Sequence, residues 1–452
     1  MQINRRGFMG ATGAAFSGLL LNGCTGRTGS AMTAPAAFAD YGPLVSDPAG
    51  MLDLPRGFTY RLLSSLGDAM ADGGTVPDKA DGMGCLPLGG DEIVLIRNHE
   101  LVPGDGAGGP LAHGYGTHNG SIVPGGTTNL VLDARTLEVK REFRTLAGTV
   151  RNCSGGITPW GSWLTCEEAP TGPGQRYGDG LALDHGWVFE VPAAATGLVD
   201  AVPLKAMGRF NHEAACVDPA TGVVYLTEDR GDSVLYRFIP KTPGRLHDGG
   251  QLQAMVVDGL ADTRNWSAPQ MPVGAGYPMR WIDCDDVEAP ADDLRHRSAA
   301  QGAALIARGE GIHMGMDELF ICSTNGGQRK LGQIFKLVPG RGGSHDTIEL
   351  FFESESEDQL NYGDNLTVVI KVDDSYPDVL AEAKRAALST YAEALGLTLT
   401  GNDASAAADA EGDLAPGQKR PFGERWARFV IRHKVPVLLA TVAVLGVVAI
   451  PT

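Results

Sequence analysis

Short runs in which apolar and polar residues alternate recur between residues 45 and 370, and this period of two is typical of β-strands. Turn dipeptides such as Gly89-Gly90 and Asp218-Pro219 separate the runs, and no long helical pattern interrupts them. The pattern therefore predicts an all-β domain made of many short strands. The clearest runs cover residues 58–63, 92–97, 128–132, 186–191, 222–227, 234–239, 318–322 and 333–338.

Several of these runs end in a similar way, with an apolar stretch followed by acidic or amide residues. The segments are 95–100, 163–168, 225–230 and 319–325. Their spacing is longer than one ordinary propeller blade, so the repeat is degenerate and contains insertions. A repeat of short strands favours a β-propeller over a sandwich, and equivalent strand ends would then meet around a central channel.

Composition agrees with this fold and narrows the function. The 62 glycines and 27 prolines among 452 residues are more turn formers than a helical bundle contains. The 54 acidic residues exceed the 37 basic ones and give a net charge of −17, which excludes a general affinity for nucleic acid. Where carboxylates cluster, such a chain attracts cations instead.

Carboxylates recur at the ends of the apolar strands. Taken singly, each carboxylate is best interpreted as an ordinary solvated turn residue. The set as a whole ends apolar strands, which favours a shared cation-binding site. So many carboxylates around one channel do not all stay ionised without cations, and hard oxygen ligands suit Ca²⁺ or Fe³⁺. Neighbouring acids point to opposite faces unless a bulge intervenes, so one member of the pair 167–168 is expected to reach the channel. The candidates are Glu100, Glu167, Glu168, Glu213, Glu228, Asp229, Glu310 and Asp364.

The cysteines add a softer ligand. Cys153 lies in a tight turn before a strand that ends in two glutamates, and a thiolate beside carboxylates recruits a metal such as iron. Cys85, Cys216 and Cys322 are interpreted instead as buried apolar thiols. If Cys24 carries lipid, six cysteines remain, so three disulfides are arithmetically possible outside the cytoplasm.

Residues 1–40 carry an export pattern and a linker rather than a fold. Arg5 and Arg6 precede an apolar stretch, in an order that resembles a twin-arginine signal. Cys24 ends a sequence similar to a lipobox, although Asn22 replaces the usual small residue. The pattern predicts a periplasmic, cell-surface or secreted protein, with Cys24 as a candidate site of lipid attachment.

Residues 371–452 differ in composition from the domain before them, which spans 41–370. A helical segment is predicted over 371–401 and a polar linker over 402–424. Residues 425–452 are basic and then apolar, and they are similar to the start of an RND/MMPL-type membrane segment. The basic side of such a segment stays in the cytoplasm, which conflicts with export. The tail is therefore expected to be foreign to the domain, and an amphipathic membrane anchor is the alternative.

Ten motifs, in order, resemble the PhoX-type alkaline phosphatases over residues 45–368. Each motif is weak alone, and the ordered set is specific. They are Asp81-Gly-Met-Gly, Asn98-His-Glu, Gly125-Gly-Thr-Thr-Asn, Leu146-Ala-Gly-Thr, Asn152-Cys-Ser-Gly-Gly, Thr158-Pro-Trp-Gly-Ser-Trp-Leu-Thr-Cys-Glu-Glu, Gly208-Arg-Phe-Asn-His-Glu, Tyr225-Leu-Thr-Glu-Asp-Arg, Arg308-Gly-Glu-Gly and Asp364-Asn-Leu.

The resemblance implies a six-bladed β-propeller that is exported by the twin-arginine route and hydrolyses phosphate monoesters. It also implies calcium and a paired ferric centre with a cysteine ligand. In the family, further strands after Asp364 close the ring. The ring of this chain is therefore expected to be incomplete and followed by an α-helical tail. Carried over by motif, the implied metal ligands are Glu100, Cys153, Glu168, Glu213, Asp229, Glu310 and Asp364, with Glu167 and Glu228 as their neighbours.

Arginines supply the candidate contacts to a phosphate ester, an anion that bare carboxylates repel and that metal-loaded ones attract. Arg308 lies two residues before Glu310 and is expected to bind a pair of phosphate oxygens. Arg151 or Arg230 is expected to give a second positive contact.

Two other functions fit the same residues. One is a calcium-binding propeller lipoprotein of the cell surface, in which Arg308 pairs only with an acid. The other is a propeller hydrolase, such as a lactonase, with a carbonyl substrate. Iron together with calcium favours the phosphatase, and calcium alone favours the alternatives. A monomer is expected, attached to a membrane through lipid at Cys24 or through the C-terminal apolar segment if it is attached at all.

Overall fold

The computed structural model describes residues 43–175, 178–357 and 359–368, together with the backbone of 447–451. These residues are almost entirely β-strand and connecting loop, so the predicted all-β class is confirmed. The predicted export signal, helical segment and polar linker lie outside the described residues. The described helices are α1 (Leu294–Ala300) and two 3₁₀ turns, Lys205–Met207 and Leu246–Asp248.

Three sheets make up most of the domain, and all their neighbouring strands are antiparallel. Strands are numbered in chain order. The first sheet has the order β4 (Ala80–Gly89), β5 (Glu92–His99), β8 (Gly125–Asp133), β9 (Val139–Thr149). The second has the order β10 (Asn152–Ile157), β11 (Ser162–Glu167), β12 (Val188–Pro192). The third has the order β13 (His212–Val217), β14 (Val224–Glu228), β16 (Tyr236–Pro240), β17 (Gly250–Val257), β18 (Gly276–Asp283), β23 (Asp346–Glu353), β22 (Gln333–Val338), β21 (Leu319–Ser323), β20 (Gly309–Met314).

Four smaller pairings complete the described strands. They are β1 (Leu44–Val45) with β2 (Leu54–Pro55), β3 (Phe58–Leu62) with β24 (Val447–Pro451), β6 (Thr117–His118) with β7 (Ser121–Ile122), and β15 (Ser233–Val234) with β19 (Leu305–Ile306). The membrane-like segment predicted over 425–452 is described only at β24, whose backbone is extended. None of the helices within the described ranges has the length and apolar content needed to span a bilayer.

Except for β18, which joins groups 3 and 4, the strands of the three sheets form four groups of three or four, and the first strand of each group is called its inner strand. Group 1 is β4, β5, β8 and β9; group 2 is β10 to β12; group 3 is β13, β14, β16 and β17; group 4 is β20 to β23. The inner strands lie side by side in the order β4, β10, β13, β20. Because β13 and β20 are also the two ends of the nine-stranded sheet, that sheet nearly closes on itself. The six-bladed propeller stays a prediction, since the described residues supply four groups.

The core lies between the faces of neighbouring groups. In β13, Ala215 and Val217 pack with Leu164 and other residues of group 2, while Ala214 and Cys216 pack towards group 4. Side chains of a strand alternate between its two faces, so a strand covered on both faces needs apolar residues at successive positions. This is why the strands in the middle of the domain are nearly continuous apolar runs.

Glycine lets β10 pass close to both of its neighbours. A Cβ on Gly155 would lie 1.9 Å from the carbonyl oxygen of Leu164, and a Cβ on Gly156 would lie 1.8 Å from that of Ala215. Any side chain at these positions would therefore push the backbones apart. The close packing fixes the start of β10, where Cys153 lies in a strand and not in the turn predicted from the sequence.

The cysteines are free thiols. All six in the described ranges are unpaired, so the disulfides that the cysteine count allowed are not formed among them. Cys216 and Cys322 are buried, as predicted, whereas Cys85 is half-buried.

Candidate metal centre

Each inner strand has the same irregularity near its start. The pairing register with the next strand shifts between Ala80 and Met83, Asn152 and Gly155, His212 and Ala215, and Gly309 and Ile312. In every case two residues of the inner strand lie opposite one residue of its partner, which is a β-bulge. Bulges redirect side chains, and here the second residue of each inner strand is a potential metal ligand. These residues are Asp81, Cys153, Glu213 and Glu310.

The residue two positions before the ligand also repeats in groups 1, 2 and 4, whereas Asn211, two positions before Glu213 in group 3, does not have a positive φ. Lys79, Arg151 and Arg308 have φ values of 51°, 51° and 50°, in the left-handed region that residues other than glycine rarely adopt. Tyr362 has a φ of 56° and precedes Asp364 by the same interval. Asp364 therefore occupies, after group 4, the position that the other ligands hold in the inner strands. Strained backbone of this kind concentrates at functional sites.

The ligand atoms converge into two clusters that share one residue. Donor atoms of Cys153, Glu168 and Glu213 lie within 4.8 Å of one another, and so do those of Glu213, Glu310 and Asp364. The three inner-strand ligands come from groups 2, 3 and 4. Asp364 is fixed beside them because its carbonyl oxygen accepts a hydrogen bond from the N–H of Gly311 at 2.9 Å.

Burial and mutual repulsion favour the neutral forms of Glu168 and Glu213. Burial, with the charge of Glu168 added to it, raises the pKa of Glu213 well above its usual range. Burial also raises the pKa of Glu168 to about 7. The buried thiol of Cys153 likewise has a raised pKa. Groups of this kind keep their protons near neutral pH unless a cation compensates their charge.

The predicted repeat of strand ends has a counterpart in the structure. Glu100, Glu168, Asp229 and Thr324 are equivalent, since each donates its N–H to the residue that precedes an inner strand, at 2.9 to 3.1 Å. Three of the four are acids that lie beside the bulges. The fourth position is a threonine, so group 4 contributes its acid only through Glu310.

Two of the three predicted arginines lie at the centre. Arg151 binds Glu100 at 2.7 Å and Glu168 at 2.6 Å through Nη2. Arg308 binds both oxygens of Asp229 at 2.6 and 2.9 Å, and Glu310 at 3.0 Å. The two arginines therefore tie the strand-end acids to the clusters.

The third predicted arginine is directed elsewhere. The Nη2 atom of Arg230 lies 3.6 Å from Asp292, which belongs to neither cluster. Its backbone carbonyl accepts the N–H of Arg308 at 2.9 Å, so its contact with the centre is through the main chain.

Two predicted metal neighbours need correction. Glu167 is fully buried, but its carboxylate accepts hydrogen bonds from His185 at 2.6 Å and from the N–H groups of Val150, Gly186 and Trp187. Glu167 therefore binds the loops that contain these residues, and Glu168 is the residue of the pair that lies in a cluster.

Glu228 is the second correction. One of its oxygens accepts the hydroxyl of Tyr236 at 3.3 Å, and the other lies 3.6 Å from Arg295. Its neighbour Asp229 lies on the side of the centre, as the alternation of side chains along a strand requires.

The sequence prediction missed Asp81 as a candidate ligand. Burial, together with the charges of Glu100 and Asp364, raises the pKa of Asp81 to about 7. Asp81 occupies the ligand position of group 1, in the bulge of β4 opposite Asn98 of β5. The feature that identifies Asp81 is the left-handed backbone of Lys79 two residues before it. The spacing of residue types along the sequence does not reveal this feature.

We expect Asp81→Asn to lower metal affinity, and any activity that depends on the metal, by about 10- to 100-fold, the range seen when groups around a metal are changed. Asp91→Asn is the matched control, because Asp91 is exposed, pairs with Arg135 and lies in the turn at the other end of β4 and β5. The measurement is activity during a calcium titration. Equal calcium dependence in both variants would exclude Asp81 from the centre.

Comparisons with known proteins identify the family. The family described as Alkaline phosphatase PhoX matches residues 39–132 and 124–388. This match continues past residue 368, where the motif resemblance ended, and so includes part of the segment expected to be foreign. A comparison with curated proteins found no match.

A solved structure of this family has a similar fold. PhoX from Pseudomonas fluorescens, in complex with the transition state analogue vanadate, is 18% identical with a TM-score of 0.51, covering 71% of this chain and 79% of that chain. A putative 6-phosphogluconolactonase from Bacteroides uniformis is 11% identical over 59% of this chain and 71% of that chain, and its TM-score of 0.27 does not indicate a shared fold. On the family match, this chain belongs to the PhoX alkaline phosphatase family and is a phosphatase.

Proposed function

We propose that this chain hydrolyses phosphate monoesters at a centre of calcium and iron held by the two clusters. The observation that carries the proposal is the convergence of Cys153, Glu213 and Glu310, from three inner strands, with Glu168 after β11 and Asp364 after β23. These residues fit the metals, because carboxylates suit Ca²⁺ and Fe³⁺ and the one thiol favours iron. Buried acids with raised pKa values are also groups that a cation would stabilise.

The protein residues would hold and orient the substrate. Such cations, when bound, supply neutralisation of the phosphoryl oxygens and acidification of water. Asp229 fixes the guanidinium plane of Arg308 through Nε and Nη2. Among the described residues, hydrogen bonds engage only these two nitrogens of Arg308, so Nη1 is the group that would bind a phosphoryl oxygen.

Arg151 is the better candidate for the second positive contact. It lies between Glu100 and Glu168, at the edge of the first cluster, and its side chain is partly exposed. Arg230 is less suited, because its guanidinium faces Asp292.

The finer features of the fold and location are part of the same proposal. Four groups of strands are present, and Asp364 after group 4 occupies the ligand position with which a fifth group would begin. Both features support an incomplete six-bladed propeller. The sequence of residues 1–40 supports twin-arginine export to the periplasm, the cell surface or the medium. Lipid attachment at Cys24 and a monomeric state remain predictions from the sequence.

The proposal is tested by assaying the purified full-length chain with p-nitrophenyl phosphate. We expect hydrolysis that is lost after exhaustive chelation and recovered when calcium and iron are restored. Elemental analysis before chelation should find both metals. Full turnover in protein shown to be free of metal would disprove the metal-dependent mechanism, and calcium without iron or activity would favour a calcium-binding surface protein.

We expect Cys153→Ser to lose iron and most of the activity, because a hydroxyl is a far weaker ligand for iron than a thiolate. Cys216→Ser is the control, since Cys216 packs in the core between groups 3 and 4. Cys322 is a poorer control, because its thiol donates to the carbonyl of Gly363 at 3.1 Å, next to Asp364. Equal iron content in the Cys153 and Cys216 variants would remove Cys153 from the ligand set.

A further inference from the structure

A buried asparagine joins groups 1 and 2 at the bulge of β10, which carries Cys153. Asn98 is fully buried in β5, and its Nδ2 atom donates to the carbonyl oxygens of Cys153 at 3.2 Å and Ser154 at 2.8 Å. Its Oδ1 atom accepts the indole N–H of Trp163 at 2.9 Å and the hydroxyl of Thr165 at 2.8 Å. All four hydrogen-bonding positions of the amide are therefore used.

The same arrangement recurs around the centre. Asn98 is the single residue of β5 opposite the bulge of β4. The equivalent residue of β14 is Thr227, whose hydroxyl donates to the carbonyl of Glu310 at 2.6 Å. In β21 it is Cys322, which donates to the carbonyl of Gly363. In three of the four groups, the residue opposite a bulge thus binds the main chain beside the next ligand.

Group 2 is the exception. Its equivalent residue is Cys166, which packs in the apolar core with Leu164 and Ala215. In group 2 the contact with the next inner strand is made by Cys153 instead, whose thiol donates to the carbonyl oxygen of His212 at 3.3 Å.

We propose that Asn98 is a positioning residue that fixes the bulge of β10 and so aims the thiol of Cys153 into the first cluster. Two N–H donors on adjacent carbonyls hold both peptide planes of the bulge, which a single donor does not do. Close packing adds to this restraint, because a Cβ on Gly82 would lie 2.7 Å from the Cα of Ser154. Without the amide, the carbonyls of Cys153 and Ser154 lose their buried partner and the bulge opens.

The role of Cys153 as a ligand rests on the proposed function, but the position of its thiol is measurable without metal or activity. The experiment is a pulse of iodoacetamide on the native full-length chain in excess chelator, with the labelled cysteines identified by mass spectrometry. In Asn98→Ala we expect Cys153 to be alkylated at least about tenfold faster than in the unchanged protein, while Cys216 and Cys284 keep their rates.

The control is Asn129→Ala. Asn129 is equally buried and pairs with Ile96 in the same sheet, but its amide binds Ala193 and Thr145, away from the centre. A general loss of stability would speed alkylation of all the buried cysteines in both variants. Asn98→Thr tests rescue, because Thr227 does the equivalent task in group 3 with one donor, and we expect it to restore part of the protection of Cys153.

Reconstitution gives the second readout. After loading with calcium and iron, Asn98→Ala should retain less iron per chain than Asn129→Ala. An unchanged rate at Cys153, or the same increase at all three cysteines, would overturn the positioning role. If the unchanged protein binds no iron and hydrolyses no ester, the proposed function fails, while the alkylation result still decides the role of Asn98.

Discussion

Replacing Glu213 by glutamine should abolish phosphatase activity, with a loss well beyond the 10- to 100-fold typical of groups that only support a metal ligand. Glu213 is the one residue shared by both clusters, so its carboxylate would contact cations on both sides. Burial raises the pKa of Glu213 and so favours its protonated form in the metal-free protein. Glutamine has the shape of that protonated form, so the metal-free fold should be preserved. The measurement is activity together with bound calcium and iron.

Glu228→Gln is the matched control for this variant. Glu228 is also fully buried, with a pKa raised by burial to about 8, and it pairs in register with His212. It belongs to neither cluster, and we therefore expect Glu228→Gln to retain its metals and most of its activity. If the two variants lost metal equally, the distinction between Glu213 and Glu228 drawn from the structure would be wrong.

The all-β class was predictable because the strands pack against apolar neighbours and therefore carry apolar residues in short runs. Alternating runs gave the all-β class, and the similar ends of β5, β11 and β14 gave a repeat whose members are equivalent in the structure. The number of blades was not derivable in this way. It came from the family resemblance, and the described residues contain four groups.

The choice between adjacent acids was less predictable. In the pairs Glu167–Glu168 and Glu228–Asp229, both residues end an apolar strand, and sequence does not say which face is the inner one. The structure decides through the pairing register, which places Glu167 among backbone N–H groups and Glu168 beside Cys153. Register depends on contacts with distant strands and is not encoded locally.

Asp81 was missed for a related reason. Its position is defined by a bulge and by the left-handed residue two places before it. The left-handed residues at that place are Lys79, Arg151, Arg308 and Tyr362, which share a conformation and not a chemical type, and Asn211 before Glu213 lacks that conformation. A repeat of backbone geometry leaves no fixed residue pattern for sequence analysis to find.

The last expected result is a loss of stability of the metal-free protein as pH rises. Burial raises the pKa values of Asp81 and Glu168 to about 7, from 3.8 and 4.5. Between these limits the folded chain holds protons that the unfolded chain has released, so the free energy of unfolding falls with increasing pH. Each extra proton contributes a slope of about 1.4 kcal/mol per pH unit. Burial also raises the pKa of Glu213, which adds to the effect in the same direction.

Urea unfolding followed by tryptophan fluorescence measures this slope. In excess chelator, the midpoint of the unchanged protein should fall relative to that of the double variant Asp81→Asn with Glu168→Gln as the pH rises from about 5 to about 7, because neither replaced side chain titrates. This difference isolates the two acids, since both proteins contain Glu228, whose pKa burial raises to about 8, and His99 and His212, whose pKa values burial lowers. With calcium and iron present the difference should change much less with pH, since cations bind the ionised carboxylates and compensate their charge. A metal-free difference that stays constant over this range would show that Asp81 and Glu168 are already ionised, and that the centre does not need cations to balance their charge.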